Sequence, residues 1–478
     1  MTSINQKPDQ WRLDIIIMIL YQISLVFSAQ LLFVIFLDYM PSYYCNEADN
    51  CYKLQSKCFS DYDENQNITD LNIGKVDFYS AQFEYQHDCT SLKSFSLSTT
   101  TFIGTLLGNI ILGQLSDHFG RRPIYLLSLF LGIPSLFLSA VVTGIVPFYI
   151  FRTLIGFSIA GTLTIGWTYA TEMITPTRRL KILTFTNWPN ARMIQVGLAY
   201  MFGEWRRTTI ISGLLSSFAI PILWYIPESP VFLEQKKKYQ EACQARNRIA
   251  EICKFQNTVE VEKSDSPTRT ITLARMLRIA RLRTNFLIII FIYFYVGMAV
   301  YITDLNGADM STNFYFGQFF AGFVLSISQL CIGLSEPYFH GRLGRRALFL
   351  GAQTVALLSY ILILILLYIS MKGSLVYSIV YTIAYSSQSV CLEAGYLALI
   401  ELMPTDVRAT IGSFANIMMK IGTIIATTTK PLKFWYEPSL FYFNLAICSI
   451  GFLVVYAFLE ESNSVDLRNI GQEEETDN

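Results

Sequence analysis

GQLSDHFGRRP, residues 113–123, sets one Asp, two adjacent Arg and two Gly between long apolar runs on either side. Charges gathered at the junction of two such runs belong at a bilayer surface, where two membrane-crossing helices meet through a tight turn. The rest of the chain agrees. Of 478 residues, 52% are hydrophobic and only 15% charged, and the mean hydropathy is +0.39, too apolar for a water-soluble globular protein. Working outward from 113–123, apolar runs broken by charge, Gly and Pro predict about twelve spans, near 14–37, 96–115, 124–143, 148–171, 182–203, 208–226, 285–304, 312–335, 347–370, 374–400, 409–430 and 438–459. The start MTSINQKPDQWRLD lacks a basic leader with a small-residue cleavage site, so the first run is expected to remain as a helix. An even number of spans puts both termini on one side.

Two hydrophilic stretches set the orientation. Residues 38–95 hold ten acids against four Lys, whereas 227–284 hold twelve Lys or Arg, including Lys236, Lys237 and Lys238. The positive-inside bias therefore places 227–284 and both termini in the cytosol. Cysteine usage gives the same answer independently. Cys45, Cys51, Cys58 and Cys89 share 38–95 with the sequon Asn67-Ile68-Thr69, as expected of an oxidising, glycosylated face with two disulfides among the four. Four Cys allow three pairings, and sequence does not choose among them.

The opening stretch is then a cytosolic turn, and Arg121 and Arg122 follow the positive-inside bias. Asp117 calls for a further reason: beside a helix end it can pair with Arg or accept helix N-terminal amides, forming a contact that is made and broken as helices rock. An internal repeat supports this. Glu172-x6-Arg179 (EMITPTRR) returns 229 residues later as Glu401-x6-Arg408 (ELMPTDVR), Gly120-Arg121-Arg122 as Gly344-Arg345-Arg346, and IPES ending at Ser229 as LEES ending at Ser462. Three matches in order point to a duplicated six-helix unit. Gly341 stands where the second copy would carry the acid, so the stronger inner latch is expected in the first half.

G-x-L-x-D-x-x-G-R-R at 113–122, R-x-x-x-G from Arg152 to Gly156 and the duplicated E-x6-R resemble the signatures of the major facilitator superfamily. GLAYMFGEWRR (197–207), WYIPESPVFL (224–233), ELMPTDVR (401–408) and the long Cys-bearing first outer loop further resemble the organic cation and organic anion transporters of animals, over nearly the whole chain. The sequence departs from that family at Val231, where Arg usually follows PESP, and at Gln329, where an acid is common. The resemblance implies an all-α membrane protein: two six-helix bundles around a mid-membrane cavity open alternately to each side. The expected organisation is a first bundle at 1–226 including the outer loop 38–95, a cytosolic loop at 227–284, a second bundle at 285–459 and an acidic cytosolic tail at 460–478. Arg121, Arg122, Asp117, Arg152, Glu172, Arg179, Glu401 and Arg408 are the expected gating groups.

Ionisable residues inside spans are costly and face a cavity or another charge. Arg192, in NWPNARMIQVGLAY, interrupts span five together with Asn187, Pro189, Asn190 and Gln195. Lys420 lies deep in span eleven, and its setting, KIGTI, looks like the stretch where organic anion transporters carry a basic residue and organic cation transporters an acidic one. Glu393 in span ten opposes it, and is able to pair with Lys420 or Arg192. Tyr295, Tyr301 and Tyr385 are the aromatic candidates for stacking on a flat organic ion.

The three His (His87, His118 and His340) lie apart, and the chain has no HExxH, CxxC pair or Walker loop. The expectation is no enzyme, no cofactor, no metal and no nucleic-acid partner, but a plasma-membrane carrier of small organic ions, leaning to anions and driven by gradients or exchange. An organic cation or zwitterion carrier, a neutral-solute carrier, and a non-transporting vesicle glycoprotein or sensor of the same fold stay open. Enzymatic deglycosylation of the expressed protein is expected to shift its gel mobility and to leave Asn67→Gln unshifted; an unshifted wild type places 38–95 on the other face.

Overall fold

A computed structural model describes residues 11–39, 43–45, 51–53, 78–85, 97–174, 185–253, 273–305, 313–339, 345–403, 405–429, 436 and 438–459. They belong to two compact units, Met1–Asp265 and Ser266–Asn478. With no water in hydrocarbon to satisfy backbone amides, each apolar run closes its hydrogen bonds within itself as a helix. The first unit carries Trp11–Ser28 with Gln30–Leu37, Leu97–Phe119, Arg121–Val141, Ile145–Ala160 running through a π turn (Gly161–Ile165) into Gly166–Met173, then Trp188–Phe202, and Trp205–Ser217 with Ala219–Tyr225. The second carries Ala280–Leu305, Phe314–Phe339, Arg345–Tyr368, Leu375–Leu402, Thr405–Thr428 and Ser439–Phe458. Helix occupies each expected span.

Among the described residues nine helices are long and apolar enough to cross a membrane by themselves. Trp188–Phe202 falls short because its described helix is only 15 residues long and carries Asn190, Arg192 and Gln195, and Leu97–Phe119 because Ser98, Thr99, Thr100, Thr101 and Thr105 dilute it. Such helices cross by facing protein rather than lipid.

Local breaks have identifiable causes. Where span one divides at Ala29, Ser24 and Ser28 donate back to the carbonyls of Leu20 and Ser24, a bond that bends helices. The Ser28 hydroxyl also meets Thr162 at 2.8 Å, inside the π turn of span four. Spans two and four touch backbone to backbone: a Cβ on Gly156 would lie 2.0 Å from the Thr101 carbonyl oxygen, and one on Gly104 would lie 2.0 Å from that of Thr153. Small residues at such a crossing replace the hydrophobic drive that lipid does not supply.

The stretch after span six begins with structure of its own. Ser229 Oγ accepts from the Phe232 amide at 3.3 Å and Pro230 stands at the first helical position, which starts helix Pro230–Gln235. Phe232 and Leu233 then pack on Ala242 and Ala245 of helix Tyr239–Cys253. After span one, Tyr43–Cys45 and Cys51–Lys53 pair antiparallel with Cys45 opposite Cys51.

In the second unit, polar side chains of spans seven, nine and twelve bond to one another. Asn444 donates to Tyr360 Oη at 2.9 Å and Thr303 Oγ1 at 3.1 Å, and those two hydroxyls are 2.9 Å apart. Tyr295 is wholly buried in the apolar core of this unit, against Phe291 and Phe349.

The span two to span four crossing gives a test. Gly156→Leu is expected to lower unfolding stability in detergent by about 1–3 kcal/mol, the usual range for overpacking. Gly197→Leu, where a Cβ would meet nothing within 4 Å, is the control and is expected to change little.

Candidate functional site

The duplicated motifs assemble a charge cluster at the turn between spans two and three of the first unit. Gly120 adopts φ +117° before helix Arg121–Val141, a backbone conformation that L side chains rarely adopt. Arg121 pairs with Asp117 one turn earlier, reaches Glu172 Oε1 at 3.5 Å, and lies over the Phe232 ring at 5.0 Å. The side chains of Arg121 and Glu172 are only 10% and 15% exposed, whereas that of Asp117 is 66% exposed. The pair with Glu172 is therefore the less screened one, and the pair with Asp117 is worth less than its short geometry implies.

Glu228, which sequence reasoning did not single out as a site residue, completes the cluster. Its carboxylate accepts the Arg122 amide at 3.1 and 3.2 Å and the Ser229 amide at 2.9 Å. It thus sits at the N-terminus of span three, where the helix dipole favours an anion. Arg122 in turn donates to the carbonyls of Leu223 at 3.3 Å and Trp224 at 2.6 Å at the end of span six. Tyr169 anchors the same turn through Pro227 O at 2.6 Å. The available signal was the echo of IPES in LEES, which was read only as a repeat marker.

The repeat is also visible in the second unit, where Arg346 Nη2 donates to the Tyr456 carbonyl at the end of span twelve. Glu401 and Arg408 fall in helices Leu375–Leu402 and Thr405–Thr428; their side chains, and Arg179, lie outside the described residues. So do Asn67, Cys58, Cys89 and the side chains of Cys45 and Cys51.

At the other end of span three an arginine does the corresponding work. Arg206 grips Glu84 through Nη2 at 2.6 Å and Nε at 3.0 Å and donates to the Val142 carbonyl at 2.8 Å. Trp205 Nε1 holds the other Glu84 oxygen at 2.7 Å. Residues 78–85 are thereby fastened to the first unit, with Tyr79 N donating to Gly203 O at 2.9 Å and Trp205 N to Tyr79 O at 3.0 Å.

Each unit also carries charged side chains within its spans. In the first, Arg192 and Arg152 are both buried. Arg152 donates to Gln30 Oε1 at 3.1 Å, Gln30 to Ser212 at 3.2 Å, and Ser212 to Gln195 Oε1 at 3.0 Å. In the second, Glu393 accepts from Gln329 Nε2 at 3.0 Å rather than pairing with Lys420. Lys420 is 5% exposed and has no hydrogen bond or ion pair among the described residues. Gln329 stands in the span-eight position where an acid was expected, and as an amide it donates to Glu393 instead of repelling it. Tyr385 donates to Asp304 Oδ2 at 3.1 Å, a buried carboxylate that lay unremarked at the end of span seven. Tyr301 is partly buried. Among the described residues no group of His, Cys, Asp and Glu could hold a metal ion.

Comparison with known proteins adds the following. A family model for the Major Facilitator Superfamily matches residues 76–427. An uncharacterized protein of Caenorhabditis elegans is 27% identical over 95% of this chain and 93% of its own length. The organic cation transporter protein of Drosophila melanogaster is 27% identical over 75% of this chain and 67% of its own length. Organic anion transporter 3 of Mus musculus is 27% identical over 73% and 66%, so the chain spans about two thirds of the length of these two transporters. Among solved structures, the xylose transporter XylE of E. coli in a partially occluded inward open conformation aligns with a TM-score of 0.63 at 14% identity, covering 96% of this chain and 99% of that one. At that identity the likeness is one of fold.

The charge cluster yields a test by pH. Burial pushes the Glu228 carboxyl above its ordinary value of 4.5, against the Ser229 and Arg122 amides that lower it, while Glu172 adds to the rise. A raised folded value means that the folded state holds the proton more tightly. The stabilising contribution is present below pH 4.5 and is lost as pH rises through the folded value. Thermal unfolding across that window is expected to show wild type losing ground to Glu228→Gln as pH rises toward neutrality; parallel curves contradict the assignment.

Proposed function

The chain belongs to the major facilitator superfamily, and we propose that it carries small organic ions across the plasma membrane by alternating access, with a preference for anions. It is a multi-pass membrane protein whose relatives are transporters, not enzymes. The observation that carries the preference is the state of the two charges in the second unit. Glu393 is occupied by the amide of Gln329, so its charge is not spent on Lys420. Lys420 remains a buried ammonium with no anionic partner among the described residues. A charge so placed is costly unless an opposite charge reaches it, and the carboxylate of an organic anion supplies one.

In the first unit Arg192 adds positive field for the substrate; in the second, Tyr301 and Tyr385 offer it aromatic surface, while Tyr295, wholly buried in the apolar core of its unit, is left to packing. Glu393 tempers the field. Asp117, Arg121, Arg122, Glu172 and Arg179, with Glu401 and Arg408 in the second copy, hold and release the cytosolic end; Arg152 serves the same change of state from inside the first unit. Both termini face the cytosol, and the disulfides of 38–95 face outward. The driving force is an ion gradient or exchange.

A second reading has its own observation. Glu393 is the carboxylate of span ten and is only partly buried, and the Drosophila relative is named for organic cations. In that reading Glu393 is the substrate anchor and Lys420 the tempering charge.

Uptake of labelled anions, cations and zwitterions into expressing cells, with trans-stimulation, separates the two. Lys420→Ala is expected to lower anion uptake about ten- to a hundredfold, the range for losing a charged hydrogen bond, Lys420→Asp to abolish it, and Glu393→Gln to leave it intact or raise it. Cation uptake by wild type that survives Lys420→Ala and is lost in Glu393→Gln inverts the assignment. Saturable binding without accumulation replaces transport by sensing.

A further inference from the structure

Arg152 is fully buried in helix Ile145–Ala160, yet no carboxylate pairs with it among the described residues. Its Nη1 donates to Gln30 Oε1 at 3.1 Å, and its guanidinium lies 5.2 Å from the Phe148 ring centroid. Nε and Nη2, which together make the side-on fork that grips anions, are buried and donate to no acceptor there.

The direction of the adjoining hydrogen bonds follows from the arginine, because a guanidinium only donates. Gln30 must turn its oxygen to Arg152 and its nitrogen to Ser212. Ser212 accepts from Gln30 at 3.2 Å and therefore gives its own proton to Gln195 Oε1 at 3.0 Å. That leaves Gln195 Nε2, also buried, facing away as one more donor without an acceptor. The relay thus uses its acceptors internally and presents N–H groups and one positive charge at its ends. Buried donors are ordinarily satisfied, and a group that satisfies these must accept hydrogen bonds and carry negative charge.

The surroundings limit its size and valence. Phe148 packs against Trp205 at 5.3 Å and Tyr85 at 5.2 Å, and Tyr85 belongs to the segment that Glu84 and Arg206 fasten over this end of the unit. Gln30, Arg152 and Ser212 are without solvent exposure, so a ligand at the fork is enclosed by protein, which favours a small ion over a drug-sized one. One guanidinium balances one negative charge, and desolvation disfavours a divalent anion. We propose that the guanidinium fork of Arg152 binds a monovalent inorganic anion of halide size inside the first six-helix unit, as a site separate from the substrate path. The site does not depend on whether the transported ion is an anion or a cation.

The test uses the purified full-length protein, exchanged into sodium gluconate and titrated with sodium bromide at constant ionic strength. Bound anion stabilises the folded state by mass action, so the thermal midpoint of wild type is expected to rise saturably with bromide. In Arg152→Gln the apparent bromide affinity is expected to fall at least about tenfold, as for losing a charged hydrogen bond. Anomalous diffraction from bromide-grown crystals of wild type supplies a second measurement that does not depend on the variant folding, with a peak expected beside Arg152 Nε and Nη2. Identical melting in gluconate and bromide overturns the proposal, as does an ordered water without anomalous signal at the fork. Arg152-dependent stabilisation by benzoate that bromide competes away also overturns it, because the fork then belongs to the substrate path. Uptake plays no part in these readouts, so the proposal fails or stands apart from the transport assignment.

Discussion

A polar or charged group that leaves water for the bilayer interior must find its partner inside the protein. Every functional feature of this chain is a response to that constraint. Backbone amides meet it by helix formation. Hydroxyls such as those of Ser24, Ser28 and Ser158 meet it by donating back to carbonyls or, as Ser28 does with Thr162, to each other. The amides of Gln30 and Gln329 meet it by bridging helices, and those of Gln195 and Asn444 do so in part. Among the described residues the Arg152 fork is one of the buried groups that internal partners leave incompletely satisfied.

Arginine and acid together close both ends of span three. At the start of the span Glu228 accepts an amide of the first turn while Arg122 covers carbonyls at the end of span six. At its far end Arg206 covers the carbonyl that caps span three and holds Glu84. A few kcal/mol of differential contact of this kind is enough to shift conformer populations many-fold.

The duplication is carried by geometry as well as by sequence. Arg122 and Arg346, the second arginines of the two Gly-Arg-Arg copies, each donate to a carbonyl at the end of the last span of their own unit. A guanidinium that ends a helix needs no particular acceptor residue, only an unsatisfied carbonyl at the right distance. The role therefore survives divergence of the residues around it, from LWYIPES to VYAFLEES.

Local physics made much of the chain legible in the sequence: the twelve spans, the six-helix repeat, the membrane class, and Asp117, Arg121 and Glu172 as members of one cluster. Apolar length, charge at the ends of runs and the return of three motifs are properties of segments, and segments are written consecutively. Pairing across helices is not. That Glu393 chooses Gln329 over Lys420, that Tyr295 fills the core of its unit, that Glu228 serves the amides of span three, and that Arg152 heads a relay ending at Gln195 depend on which helix faces rotate toward each other. That rotation is decided by close packing at positions such as Gly156 against Thr101, where tenths of an ångström matter. Sequence determined which charges enter the membrane, and tertiary structure alone decided which of them are spent on each other.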